Sequence, residues 1–476
     1  MTGAARREPT VVRAAAMPAG TPSVPVAIVG AGACGQVAAL ALRDAGVEVL
    51  LVERDPVPRG STALSSGFVP AAGTAVQRAA GVDDDSPARL ADDIRRKSHG
   101  RASPVLVEAY TAAIGPAIDV LGARHGLRFE LLDGFLYPGH TARRMHALPE
   151  RTGAALVAAL DAAAQHAGAS LLCEARAVEL WVDEGRRVIG LGVERPDGAL
   201  ERIGCDALLL ACNGFGGNAA MVRDWLPEMR EATFAGHAGN DGTAIAWGRA
   251  LGARLADLGG YQGHGSWAVP QGALVTWALM TEGGVQVNAR GCRFHDETQG
   301  YSEAAVHVLA QPGGTAWNVF DDRLLALARG FPDFVEAERA GALRTAADAG
   351  ALAAVLGCDA AALRSTLVAI DPDAPPGPDG RRFARRLSAP YHAIRVTGAL
   401  FHTQGGLDVD ARCRVLDDGG RPLPNLWAAG GAARGVSGDA VWGYLSGNGL
   451  LSAIAGGAIA ATAIAAATTN QGRGER

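Results

Sequence analysis

The stretch that decides the fold is Pro25–Asp55, PVAIVGAGACGQVAALALRDAGVEVLLVERD. Val26 to Val29 is a short apolar run that predicts a buried parallel strand. It runs directly into Gly30-Ala31-Gly32-Ala33-Cys34-Gly35, a GxGxxG turn opening an Ala/Leu helix that ends near Gly46. A second apolar strand, Val47 to Val52, ends on Glu53. Gly30 permits the tight turn, Gly32 lets the backbone approach a pyrophosphate, and Gly35 lets helix and strand pack closely. The pyrophosphate would rest on the helix N-terminus, where N–H groups and the helix dipole favour anions. Glu53 lies at the spacing of an acid that accepts hydrogen bonds from a ribose hydroxyl. A lone GxGxxG is weak, but here strand, turn, helix, second strand and acid fall in order. They predict a dinucleotide site.

Composition narrows the class. The 476 residues suffice for two or three domains, and 48% are apolar. A formal charge of −5 offers nothing to nucleic acid or to an anionic membrane surface. The seven cysteines (34, 173, 205, 212, 292, 358 and 413) are scattered and show no CxxC spacing. They read as reduced thiols of a cytoplasmic enzyme, and no metal site is expected. Residues 1–23 lack a continuous apolar core and are expected to be a disordered tail. Leu450 to Thr469 is apolar but rich in Ala, Gly and Thr, which predicts a buried helix of the nucleotide domain and no membrane span.

After Glu53, Pro58 to Gly67 is a run of small hydroxyl residues and glycines that suits a loop hugging a cofactor. Ser86 to Gly122 and Thr152 to Gly168 have helical patterns. Ser170 to Val178 and Val188 to Val193 read as strands of a meander that turns at Pro196-Asp197-Gly198. Ala207 to Asn218, ALLLACNGFGGN, is another buried strand ending in glycines. Asn240 to Ala253 reads as a helix, followed by a Gly-rich loop at Gly259-Gly260-Tyr261-Gln262-Gly263-His264. Composition then shifts. Gly283 to Val287 and Gly291 to Glu297 look like short strands, and Asp321 to Leu363 is helical and more polar. Residues 265–388 are therefore read as an inserted domain, with the Pro-rich link Asp371 to Asp379 near its end. Thr397 to Thr403 is strand-like, and Leu426 to Gly431 is a last buried strand before the final Ala-rich helix.

With these landmarks in place, the chain resembles the flavoprotein family of fumarate reductases, succinate dehydrogenases and 3-ketosteroid dehydrogenases. The resemblance covers nearly everything after Val24. It rests on GAGACG with Glu53, STALSSG, LLLACNGFGGN, YQGH, GCRFHDE, HTQGG, and LWAAGG followed by YLSGNG. It implies an α/β, Rossmann-like FAD-binding domain over 24–264 and 389–470, with an inserted α+β capping domain over 265–388. It further implies FAD pyrophosphate on Gly30 to Gly35, Ala33 and Cys34 included, and ribose on Glu53. Ser61, Thr62, Ser66 and Gly67 would approach the flavin, and Gly430, Leu445, Ser446 and Asn448 would sit near its pyrimidine end. Arg54, Ser65, Ala177, Gly214 and Gly431 complete the expected cofactor contacts. Some relatives attach FAD through a histidine in the loop after the acid. This loop has none, so noncovalent FAD is expected.

The family reaction is hydride transfer between flavin N5 and a carbon next to a carbonyl or carboxylate, with a proton moving on the adjacent carbon. The protein must polarise the carbonyl and supply an acid or base. Tyr301, His402, His264 and Tyr444 are the candidates. His264 in Gln-Gly-His and His402 in His-Thr-Gln-Gly-Gly resemble the substrate histidines of the dicarboxylate enzymes. Those enzymes also use two arginines. This chain has Gln299-Gly300-Tyr301 in the region of the proton-donating one and Tyr444 at the position of the carboxylate clamp, which disfavours fumarate and succinate. Tyr301 instead resembles the proton-abstracting tyrosine of ketosteroid dehydrogenases, although their Tyr-Pro-Gly loop is replaced by Gly435-Val436-Ser437-Gly438. The expectation is an FAD-dependent oxidoreductase of a CH–CH bond beside the carbonyl of a small substrate, with an unidentified electron partner. Two alternatives stand beside it. One is a reductase of an unsaturated acid, with Arg143, Arg144 or Arg434 supplying charge. The other is a non-catalytic FAD-binding or electron-transfer subunit.

Overall fold

The computed structural model describes residues 7–133, 136–376 and 379–474. The chain divides into two compact units, Met1–Trp225 with Gly236–Tyr261 and His402–Arg476, and Leu226–Ala235 with Gln262–Phe401.

In the first unit, strand β1 (Thr10–Arg13) is followed by β2 (Ser23–Val29), helix α1 (Ala33–Asp44), strand β3 (Val49–Val52) and the single turn α2 (Gly60–Ala63). The nine-stranded sheet runs β1, Arg176–Val182, Val188–Glu194, Leu200–Leu210, β2, β3, Ser170–Leu172; Pro422–Ala428 also pairs with Leu200–Leu210 and carries Arg414–Leu416 on its other side. The strands around the glycine turn are parallel, with Val26 opposite Val49 and Ala207. The Val188–Glu194 hairpin arm is antiparallel on both sides, which is the expected meander. Val26, Ala27 and Ile28 are fully buried, as an apolar run covered on both faces must be.

The abundant Ala and Gly have a packing purpose here. The C-terminal helix Asn448–Gly474 lies against α1 so closely that a Cβ on Gly457 would come within 2.5 Å of the Cys34 carbonyl oxygen. Pro104–Ala123 and Asn448–Thr468 are both long and apolar enough to cross a membrane by length and composition. In this unit they pack against each other.

Several expectations are corrected. The tail is not disordered throughout 1–23, because the β-branched run Thr10-Val11-Val12 pairs in parallel with Glu179–Val182 and extends the sheet. The helical stretch 86–122 is two helices, Pro87–Lys97 and Pro104–Ala123. His99 and Gly100, both at positive φ, break it. Ser86 caps the first helix by accepting from the Arg89 N–H.

The second unit is built on a seven-stranded sheet, Ala273–Leu274, Tyr261–Ala268, Tyr391–Thr403, Thr315–Asp321, Val285–Val287, with Thr233–Phe234 and Arg344–Ala346 also on Tyr391–Thr403. That 13-residue central strand is why this unit extends beyond 388. The segment Gly259–His264, read as a loop, enters a strand instead. The strand continues through Gly265, where the lack of a side chain permits a close approach. A Cβ on Gly265 would lie 2.6 Å from Ala304 of the helix Tyr301–Leu309, and Ser302 Oγ donates to the Gly263 carbonyl at 3.1 Å. Gly291–Glu297 is irregular and not a strand. Buried Glu297 pins it by taking Arg293, Arg381 and the Gln286 N–H. Of the Pro-rich link 371–379, residues 377–378 lie outside the described residues.

Candidate active site

The glycine turn has the geometry its sequence predicts. Gly30 has φ +103°, and a Cβ there would meet the Ala211 carbonyl oxygen at 2.6 Å. A Cβ on Gly35 would lie 1.9 Å from the Gly30 oxygen, so helix and turn close only with glycine. Gly32 differs, because its Cβ would meet only Thr62 Oγ1, at 3.3 Å. That open backbone leaves room for a pyrophosphate. Cys34 is buried in the turn, and burial pushes its thiol far above the usual range, so it is not a nucleophile. Glu53 is buried, with Oε2 accepting from the Ala31 N–H at 2.9 Å and Oε1 from the Asp55 N–H at 3.0 Å. Each oxygen retains lone-pair capacity for a ribose hydroxyl.

The small-residue loop folds against this turn. Thr62 Oγ1 accepts from the Ala33 N–H at 3.0 Å, and Ser65 Oγ donates to the Thr62 carbonyl and accepts from the Gly67 N–H. Ser61 Oγ takes two amide donors, Asn213 Nδ2 at 2.8 Å and Asn240 Nδ2 at 2.9 Å. Ser66 is partly buried beside Gly67, whose φ of +72° brings it against Thr152. Arg54 is turned toward residues 239–241, donating to the Gly239 carbonyl and pairing with Asp241 at 3.0 Å. Ala177 is buried in its strand opposite Val193. Gly214 and Gly431 sit together, a Cβ on the first meeting the Gly431 oxygen at 3.0 Å. Gly430 has φ +60° and faces Cys34.

His402 and Tyr444 meet at the start of the helix Asn448–Gly474. Their ring centroids are 5.7 Å apart at 72°. A Cβ on Gly449 would touch His402 Cε1 at 2.7 Å and Nε2 at 2.8 Å, with the Tyr444 hydroxyl at 3.7 Å. The Nε2 edge of the imidazole and a phenol therefore face the positive end of a helix. Burial pushes the His402 pKa down to about 4, slightly opposed by the Thr403 carbonyl near Nδ1. Leu445 and Ser446 are buried beside them. Asn448 is fully buried, and its Oδ1 has no hydrogen-bond partner. An acceptor left open there fits a cofactor edge that carries a donor.

The other pair lies within the second unit. His264 is 5% exposed, stacked on Tyr301 (4.9 Å, 19°) and on Phe401 (5.5 Å, 17°), with Trp277 edge-on at 5.8 Å. Its Nδ1 accepts from the Ser266 N–H at 3.1 Å, so the ring proton is on Nε2. Burial alone pushes its pKa down to about 3. Tyr301 is partly buried at the first position of its helix, after Gly300 at φ +140°.

The arginines of the acid-reductase alternative are engaged. Arg144 is fully buried between Asp85 and Asp93. Arg434 is chelated by Asp257 and also reaches Asp408 at 3.1 Å. Arg143 pairs with Asp133 at the surface. Four polar residues escaped sequence reasoning: Gln404, Ser437, Asn240 and His140. Gln404 stood in view within HTQGG, while the others are joined to the site only by long-range folding. His140 Nε2 donates to the Ser446 carbonyl at 2.9 Å, so its ring proton is on Nε2.

Comparison with known proteins agrees with this geometry. A family model described as an FAD binding domain matches residues 25–450. The chain is 28% identical over 423 residues to a fumarate reductase (cytochrome) of Shewanella frigidimarina, covering 87% of this chain and 73% of that one. It is 26% identical over 526 residues to a 4-oxocyclohexanecarboxylate 2-dehydrogenase of Sinomonas cyclohexanicum, covering 87% and 88%. A 3-ketosteroid-Δ4-(5α)-dehydrogenase structure from Rhodococcus jostii RHA1 superposes with a TM-score of 0.75 at 23% identity, covering 95% and 100%. The glycine turn and the acid of the first unit have the geometry a dinucleotide cofactor needs, and the chain belongs to the FAD-binding family, as a flavin-dependent oxidoreductase of CH–CH bonds.

Proposed function

We propose that the protein desaturates a ketone or keto acid at the CH–CH bond beside its carbonyl, or runs the reverse ene reduction. Noncovalent FAD, when bound, supplies the hydride acceptor or donor. The protein's own groups bind the carbonyl and move one proton. His402 Nε2 and the Tyr444 hydroxyl offer hydrogen bonds to a carbonyl oxygen, and the adjoining helix N-terminus favours negative charge developing there. Proton transfer is assigned to Tyr301, and His264, stacked on its ring, orients it. The observation that carries the reading is the neutrality of this set. Burial holds both imidazoles uncharged near neutrality, and Tyr444 stands where the dicarboxylate enzymes place the arginine that clamps a carboxylate. Neutral donors suit a carbonyl better than a pair of carboxylates. A relative that acts on an oxo-cyclohexane acid supports the same substrate type.

The second reading, a reductase of an unsaturated acid, draws on the fumarate reductase relative. A substrate screen scored by flavin colour separates the two. Anaerobic bleaching by a saturated cyclic ketone or keto acid, with no reoxidation of the reduced enzyme by fumarate, is expected. Rapid reoxidation by fumarate would overturn the ketone reading. A cytoplasmic location remains part of this proposal, resting on seven free thiols, three of them buried. The electron partner is a small carrier or protein of unassigned type.

A further inference from the structure

We infer that Gln404, Ser437 and Asn448 are positioning residues that keep the proton of His402 on Nε2. All three are buried, at 4%, 1% and 0% exposure, and they form a continuous chain within the first unit. Asn448 Nδ2 lies 3.0 Å from Ser437 Oγ, Ser437 Oγ 2.8 Å from Gln404 Oε1, and Gln404 Nε2 3.2 Å from His402 Nδ1. Donor and acceptor roles must alternate along such a chain, so its direction is set as a whole. With Asn448 donating, the serine hydroxyl proton points at Gln404 Oε1. The Gln404 amide then donates to Nδ1, and the ring proton stays on Nε2.

The reversed chain would place the Asn448 NH2 where Oδ1 now lies, at the N-terminus of its own helix. That end of a helix is a concentration of N–H donors and positive potential, so an acceptor oxygen is the favoured occupant. The backbone holds the middle of the chain in place. Gln404 N–H donates to the Gly260 carbonyl at 2.8 Å, and the Gln404 carbonyl accepts from Gly435 at 2.7 Å. The Thr403 carbonyl, 3.3 Å from Nδ1, is the competing partner that would draw the proton the other way. The use of this proton in turnover rests on the polarising role proposed for His402; its position does not.

The test is 15N NMR of the FAD-loaded enzyme carrying 15N-labelled histidine, with His402→Asn used to assign the His402 signals. In the wild type near pH 7.5, Nδ1 is expected to be unprotonated and acceptor-like and Nε2 protonated. Gln404→Glu puts a carboxylate against Nδ1 and is expected to move the proton there. Turnover should then fall about tenfold or more with little change in KM, the loss expected for a misdirected polarising donor. Ser437→Ala, which removes the orientation of Gln404 but keeps its amide, is expected to give a mixture of tautomers. A wild-type His402 protonated on Nδ1, or an unchanged tautomer in both variants, would overturn the inference. A tautomer that shifts in Gln404→Glu without loss of turnover would support it and overturn the polarising role of His402.

Discussion

The two units hold their candidate active-site histidines in opposite ways. In the FAD-binding unit, His402 is fixed by polar partners, its Nδ1 meeting an amide that is itself hydrogen-bonded through a serine and an asparagine. In the second unit, His264 is fixed by packing, enclosed by Tyr301, Phe401 and Trp277, with one backbone N–H on Nδ1. Both arrangements leave Nε2–H as the donor and both keep the ring neutral by desolvation. They differ in what they protect. A polar chain fixes the direction of a proton, whereas an aromatic stack fixes the position of a ring and of the tyrosine against it.

The largest effect should come from the partner of the stack. Tyr301→Phe keeps the ring that packs on His264 and removes only the hydroxyl. Turnover should fall by about 10²–10⁴, the range for a lost acid or base, while FAD content and melting temperature stay near those of the wild type. Full turnover in this variant would remove Tyr301 from proton transfer and shift the chemistry toward the polar pair. His402→Ala should cost about 10²–10³ in turnover, as for a lost donor to developing negative charge. If stopped-flow flavin reduction were unaffected by it, the polar chain would be scaffolding only.

Much of this framework was legible from residue spacing. Strand, glycine turn, helix and acid in Pro25–Asp55 are local features, and the excluded Cβ positions at Gly30 and Gly35 supply the physical reason for the spacing. What misled was glycine serving two purposes. In Gly259–His264 it resembled a loop, but the strand runs on through Gly265, whose missing Cβ admits the helix that carries Tyr301. Thr10–Arg13 was too short to declare itself, because its pairing with Arg176–Val182 is made across more than 160 residues of chain. The positioning chain on His402 was hidden for the same reason. Gln404, Ser437 and Asn448 are ordinary polar residues in sequence, and only folding puts them in line.

The stack makes a separate prediction about acid. An unfolded histidine titrates near 6.5, and burial holds His264 at about 3 in the folded protein. Between those values the unfolded state binds more protons, so stability rises with pH up to about 6.5 and is lost as pH falls below it. The slope from one such group is at most about 1.4 kcal/mol per pH unit. His264→Phe preserves the aromatic packing and removes the titration. Its denaturant midpoint should therefore fall less steeply than that of the wild type between pH 6.5 and 4.5. Parallel curves would mean that water or a neighbouring charge reaches the ring and that the stack does not isolate it.

The smallest expected effect is the one that discriminates between substrates. Of the three arginines proposed for an acid substrate, Arg144 and Arg434 are poor probes. Removing either takes the guanidinium from carboxylates it pairs with, buried Asp85 and Asp93 or half-buried Asp257 and buried Asp408, at a cost of up to about 3–5 kcal/mol, so lost activity would report lost structure. Arg143 carries no such penalty. Its pair with Asp133 is solvent-exposed, at 42% and 79%, and is worth no more than about 1 kcal/mol. Arg143→Ala should leave stability and KM nearly unchanged for a ketone held by neutral donors. A bidentate clamp on a carboxylate would behave differently, because losing a charge-assisted pair raises KM by about tenfold or more. A KM that rises selectively for unsaturated acids would make Arg143 the missing guanidinium and move the preferred substrate from ketone to acid.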